Sequence, residues 1–236
     1  MRPHRFFLVL LVASLLATGC ASPADVGRSE APTEAALDPV SSPEWTADMT
    51  RFAEQDAANP PPAAPVVFTG SSSIRLWTTL AEDFPDLPVL NRGFGGSQVR
   101  DSVWYADQVA IRYQPRRIVL YAGDNDINAG RAPQQVSSDF RAFVARIRRD
   151  LPKVPIVVLS IKPSLARLAQ LPRQREANAL LKADAAALSG VTFVDIATPM
   201  LDADGKPRAE LFGEDGLHMN RQGYDVWRSV VAPYLR

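Results

Sequence analysis

Val66-Val67-Phe68-Thr69-Gly70-Ser71-Ser72-Ser73-Ile74 passes from β-prone residues through one glycine into three serines, and a helical pattern around Leu76 to Phe84 follows it. A strand that stops at glycine and hands over to a helix is the first half of a βαβ unit. The same alternation recurs along the chain. Val89 to Arg92, Ile118 to Ala122, Ile156 to Ile161 and Thr192 to Ile196 read as four further strands. Helical patterns lie between them at Ser97 to Val109, Pro133 to Leu151 and Gln174 to Leu188, with Arg221 to Leu235 closing the chain. The pattern predicts a three-layer α/β/α domain around a five-stranded parallel sheet.

Ligands of open parallel sheets sit beyond the carboxyl ends of the strands, so the residues just after each strand carry the functional reading. They are Gly70 to Ser73, Gly93-Phe94-Gly95-Gly96, Gly123-Asp124-Asn125-Asp126, and, past the fifth strand, Asp215-Gly216-Leu217-His218. Together they contain the parts of an acyl-transfer site. A serine hydroxyl needs a base, and imidazole, with an ordinary pKa of ~6.5, suits that work near neutral pH. A carboxylate must hold the imidazole's other nitrogen, and Asp215 lies three residues before His218. Backbone N–H groups at Gly96 and the side-chain amide of Asn125 can receive an oxyanion.

Charge and composition remove competing classes. The 236 residues carry 26 Lys+Arg against 26 Asp+Glu, which leaves no net field to gather a polyanion and gives no support for a nucleic-acid partner. One cysteine and two histidines, His4 and His218, are too few for a Cys- or His-built metal centre.

Outward to the amino end, Arg2 and Arg5 precede an apolar run over residues 6–17 and then Ala17-Thr18-Gly19-Cys20. The run is shorter than the ~20 residues of a membrane-spanning helix and reads as a secretory signal over residues 1–19. The small residues before the cysteine resemble the lipobox of bacterial lipoproteins, although Ala17 stands where that pattern usually has a larger apolar residue. The resemblance implies cleavage before Cys20, a lipid on that cysteine, and a membrane anchor at the cell envelope. Ala21 in the next position favours the periplasmic face of an outer membrane. After cleavage His218 is the single histidine left, so any imidazole chemistry must use it.

Residues 20–42 are rich in Ala, Pro, Ser and acidic side chains, without apolar periodicity, and read as a flexible tether. The folded domain is expected over residues 43–236. Ser42-Pro43-Glu44 reads as a helix start, with Trp45, Met49 and Phe52 at helical spacing and Asn59-Pro60 as the stop.

The blocks from Val66 to the carboxyl end resemble the SGNH or GDSL hydrolases, in that family's order. Gly70-Ser71-Ser72-Ser73-Ile74 matches the Gly-Asp-Ser block, Gly96 the second, Gly123-Asp124-Asn125-Asp126 the Gly-x-Asn-Asp block, and Asp215 to His218 the Asp-x-x-His block. The register through Trp77 puts the nucleophile at Ser72, within a serine trio that sequence alone leaves open. Ser71 replaces the usual Asp, and Ser73 a residue that is often apolar.

The resemblance implies ester hydrolysis with Ser72, Asp215 and His218 as triad, Ser72, Gly96 and Asn125 around the oxyanion, and neither cofactor nor metal. Its substrates would be small-molecule or polysaccharide esters, such as O-acetylated carbohydrates or short-chain and lipid esters of the envelope. The rival is a non-catalytic envelope lipoprotein that binds glycan on an inherited fold.

Blander readings attach to other residues. A dinucleotide loop at Gly93 fails because its third glycine would fall at Gln98. A calcium loop starting at Asp124 fails at Ala129 and Gln135. The α/β-hydrolase elbow fails at Ile74. Trp77, Trp104, Tyr105 and Trp227 read as core, and Arg146-Ile147-Arg148-Arg149 as a solvated helix face. Lys162 and Arg92 are expected near the site edge, in reach of an anionic substrate.

Overall fold

The computed structural model describes residues 43–236; the signal, Cys20, the tether and the Ser42 cap lie outside the described residues. In chain order the elements are α1 (Thr46–Ala58), β1 (Val66–Gly70), α2 (Ser72–Arg75), α3 (Leu80–Asp83), β2 (Val89–Gly93), α4 (Val99–Trp104), α5 (Ala106–Val109), β3 (Arg117–Tyr121), α6 (Asp124–Asn128), α7 (Pro133–Asp150), β4 (Ile156–Leu159), α8 (Leu171–Ala187), β5 (Val191–Val194) and α9 (Arg221–Val231).

The five strands pair in parallel as expected, and their order is β2-β1-β3-β4-β5. The order reverses between β1 and β3, which opens a crevice at their carboxyl ends. Alternate residues of each strand feed two cores, because successive side chains point to opposite faces. Val67, Ile118, Leu120, Ile156 and Val158 pack beneath α1, α4, α7 and α8. Phe68, Val119, Tyr121, Val157 and Leu159 pack on the opposite face with Trp77, Tyr224 and Trp227.

Local chemistry shifts several element limits. The expected helix of Leu76 to Phe84 forms only over α3, and a separate turn, α2, ends at Arg75 before it. Between them Trp77 turns its indole inward and donates to Asp83 Oδ2 at 2.6 Å, and Thr79 Oγ1 donates to the same oxygen at 3.0 Å. These side-chain bonds compete with a continuous helical ladder. The Ser97 to Val109 helix divides at Tyr105.

α1 starts at Thr46 rather than at the Ser42-Pro43 signal, with Trp45 at the N-cap, because burying Trp45 decides the entry. Asn59 ends it as expected.

Trp77, Tyr105 and Trp227 are core, but Trp104 is half exposed at the end of α4, which corrects its assignment. Of the basic cluster, Ile147 is core and Arg149 is exposed; Arg146 joins Asp107 to Asp150, and Arg148 donates to the carbonyls of Val154 and Ser189. That face is therefore bonded rather than merely solvated.

Candidate active site

β1 delivers the serines to the crevice. Gly70 ends the strand at φ +121°, and a Cβ there would lie 1.9 Å from the Tyr121 carbonyl oxygen, so only glycine fits. The chain turns directly into α2, whose first residue is Ser72. The N–H groups of a first helical turn have no intrahelical acceptor, so the Ser72 N–H is available to a ligand.

Ser72 Oγ and His218 Nε2 are 2.9 Å apart across 146 positions of chain. His218 Nδ1 lies 2.6 Å from Asp215 Oδ2. The other oxygen of Asp215 accepts the N–H groups of Leu217 and His218, both at 2.9 Å. These backbone donors first, and then the ring, pull the Asp215 pKa down to about 2. A permanently ionised carboxylate selects the tautomer with hydrogen on Nδ1 and leaves Nε2 free to accept the serine proton.

Ser71 and Ser73 are almost fully buried, whereas Ser72 is partly exposed and faces the ring. Of the three serines, Ser72 is the one beside the imidazole.

Gly96 follows β2 at φ +82°, and a Cβ there would meet nothing within 4 Å, so its backbone borders open space. Its loop is anchored from both sides. Phe94 N donates to Gly70 O at 2.9 Å, and Trp45 Nε1 donates to Gly95 O at 2.8 Å.

Asn125 projects from α6, a single helical turn that begins after Gly123 at φ +114°. Its amide nitrogen donates to Ser97 O at 3.0 Å, while its oxygen accepts both Arg167 Nη atoms at 3.1 and 3.2 Å. Arg167 thereby fixes which end of the amide is nitrogen, and the second amide hydrogen is left for an oxyanion.

Ser71, Ser72, Ser73, Gly96, Asn125 and His218 line one cavity of about 230 Å³, with Asp215 behind the ring. Ser72, Gly96, Asn125, Asp215 and His218 thus gather at one rim. The cavity also takes in Arg75, Asp124, Lys162, Arg167 and Leu217.

Lys162 lies at the cavity as expected, but it is buried there. Its Nζ donates to Leu217 O at 2.7 Å and lies 4.0 Å from Asp124, and burial pushes its pKa down. Arg92 is not at the site. It is buried between the Phe52 and Tyr113 rings and paired with Asp56, so it fastens α1 to β2.

Arg167 and the Asp124 pairing were missed because Ser160 to Gln170 carries no glycine motif. The general rule that every strand's carboxyl end deserves inspection could have found them. Among the described residues no group of three or more His, Cys, Asp or Glu is placed to hold a metal, and no helix is long and apolar enough to cross a membrane.

A parallel α/β/α sheet with a hydroxyl, an imidazole and a carboxylate in line on its carboxyl rim holds the parts of an acyl-transfer site. The family described as GDSL-like Lipase/Acylhydrolase matches residues 57–226, and the chain belongs to it.

Solved structures agree on the fold. A protein proposed to be a platelet activating factor from Streptococcus pneumonia superposes with a TM-score of 0.73 at 22% identity, covering 80% of this chain and 92% of that one. A GDSL-like lipase from Bacteroides thetaiotaomicron gives 0.70 at 20% identity, covering 80% and 97%. A proposed acylhydrolase from Bacteroides fragilis gives 0.69 at 23%, covering 80% and 96%. No curated protein matches the chain.

Proposed function

We propose that the protein is a serine ester hydrolase that works through an acyl-enzyme and acts on small esters of the cell envelope, O-acetylated carbohydrate foremost. The observation that carries this reading is the unbroken line from Ser72 Oγ through the ring of His218 to Asp215, at 2.9 and 2.6 Å.

Ser72 Oγ attacks the ester carbon and its proton passes to His218 Nε2. The negative oxygen of the tetrahedral intermediate is received by the N–H groups of Ser72 and Gly96 and by Asn125 Nδ2. The alcohol leaves with the proton from Nε2. Water then gives a proton to the same nitrogen and attacks the acyl carbon; the acid leaves as Nε2 returns that proton to Ser72 Oγ, which restores the hydroxyl. Asp215 stays ionised throughout and steadies the imidazolium.

The size and lining of the cavity support short acyl groups. About 230 Å³ bounded mainly by serine, asparagine, arginine and lysine suits an acetyl group better than a long hydrocarbon chain. Export through residues 1–19 and lipidation of Cys20 would hold the domain at the membrane, on the periplasmic side, where such esters occur.

A series of 4-nitrophenyl esters from acetyl to dodecanoyl tests the reading. The rate should be highest at acetyl and fall by roughly 10⁴-fold or more in Ser72→Ala. Equal rates in wild type and Ser72→Ala would refute the nucleophile, and a preference for long chains would refute the substrate class. Incorporation of labelled palmitate, lost in Cys20→Ser, tests the anchor.

A further inference from the structure

The cavity's cations are not all answered. Arg167 pairs with Asp124 at 2.8 Å and also holds Asn125 Oδ1. Lys162 is buried, committed to Leu217 O at 2.7 Å and 4.0 Å from the same Asp124. Arg75 is different. It is exposed, it lines the cavity with Ser72 and His218, and among the described residues it has neither a hydrogen-bond acceptor nor a carboxylate partner.

The surrounding backbone makes room for Arg75 in a defined place. A Cβ on Gly95 would stand 2.7 Å from Arg75 Nε and 2.9 Å from Nη2, so the guanidinium packs against the bare backbone beside Gly96. A Cβ on Gly93 would stand 2.2 Å from Arg75 N, which makes a second glycine a condition of the same packing. Gly95 is itself held by Trp45. The guanidinium therefore rests on a fixed platform, with its hydrogen-bonding edge unclaimed.

Arg75 also borders a second cavity of about 300 Å³, lined by Arg51, Gln55, Thr78 and Asn91 among others, with no carboxylate in its wall. Arg51 is occupied there by Asp48. Both spaces that meet at Arg75 thus lack a negative charge to neutralise it, Asp124 being already paired.

We propose that Arg75 is a specificity residue that receives an anionic group, a carboxylate or a phosphate, carried by the ester substrate a few bonds from the scissile carbonyl. A planar guanidinium offers paired N–H donors to such a group, and charge-assisted hydrogen bonds are among the stronger polar contacts. The substrate class is then an acyl ester of an acidic molecule, an acetylated acidic sugar fitting both the small acyl space and the charge. This rests on the ester-hydrolase reading above.

The test compares matched esters that differ in charge. On the alcohol side these are 4-acetoxybenzoate and its methyl ester, with 4-acetoxyphenyl phosphate as a phosphate probe. On the acyl side they are 4-nitrophenyl hemisuccinate and 4-nitrophenyl methyl succinate. Wild type should show the higher kcat/KM for the charged member in at least one arm, and that arm identifies which side carries the charge. Arg75→Gln should lower the charged-to-neutral ratio about tenfold, and Arg75→Lys should restore part of it. Added salt should depress the wild-type ratio and leave the Arg75→Gln ratio flat.

A ratio identical in wild type and Arg75→Gln, or equal losses on both members of every pair, would overturn the proposal while leaving the hydrolase reading intact. Should wild type cleave none of these esters, the hydrolase reading falls. Calorimetric binding of 4-acetoxybenzoate then decides the charge site, and equal affinity in wild type and Arg75→Gln overturns it.

Discussion

Two carboxylates serve one cavity, and their acidities move in opposite directions. Asp215 is half exposed and is drawn down to about 2 by two backbone N–H groups and the His218 ring. Asp126 is fully buried and is pushed up to about 7 by desolvation, even though both its oxygens accept the Val99 N–H at 3.2 Å and Arg131 stands 3.7 Å away. Donors aimed at a carboxylate that keeps its water outweigh the small cost of partial burial. Loss of all water outweighs one N–H and an offset cation. The exposed group is thus the one suited to stay charged for proton transfer. The buried one ties α6, which carries Asn125, to the start of α4 beyond the glycine loop.

The sharpest way to break this contrast is Asp215→Asn. It leaves the shape but removes the charge that selects the His218 tautomer, and kcat should fall about 10⁴-fold, with the urea midpoint nearly unchanged. Because Asp215 stays ionised down to about pH 2, its protonation should set no limit on wild-type turnover above that pH. A pH–rate profile with an acid limb that disappears in Asp126→Asn would assign that limb to the buried carboxyl.

Asn125→Ala removes one oxyanion donor and should cost ~10² to 10³ in kcat at near-constant KM, measured on the acetyl ester.

Asp126→Asn tests the buried side by stability. A carboxyl whose folded pKa is raised contributes stability that is complete below its unfolded value near 3.8 and is lost as pH rises through about 7. Wild type should therefore lose ground to Asp126→Asn between pH 4 and pH 8, on the order of 3 kcal/mol, by urea titration across that range. A gap that stays constant, or moves the other way, would show that Asp126 is ionised in the fold throughout. The smallest effect belongs to Trp45→Phe, which keeps the ring but deletes the bond to Gly95 O. It should cost about 1 kcal/mol of stability and less than tenfold in kcat.

The centre of the sheet was legible because β1, β3 and β4 are apolar, largely β-branched runs that stop at or near a small residue, and burial on both faces leaves few other uses for such runs. The rim was legible because its parts are chemically scarce: residues 43–236 hold a single histidine, His218, and Asp215 lies three residues before it. What escaped the sequence depends on side chains meeting across elements. α6 is built from Asp-Asn-Asp-Ile-Asn, poor helix formers, and is fixed by the turn at Gly123 and the burial of Asp126 and Ile127. Arg167 reaches Asn125 across 42 positions with no local pattern to mark it. Arg92 looks like a rim cation from its place at the end of β2, yet its side chain turns away to Asp56. Trp104 has the composition of a core residue, and only the packing of neighbouring helices leaves it outside.

The bond from Trp45 to Gly95 separates two definitions of where this domain begins. Similarity to the family starts at residue 57, after nearly all of α1. The indole that braces the loop presenting Gly96 stands a full helix earlier. A gene trimmed to the recognisable family segment would keep the sheet, the serine, the imidazole and both carboxylates, and yet release the platform on which the oxyanion donor and Arg75 rest. In this chain the segment that family likeness recognises and the unit that packs together have different borders.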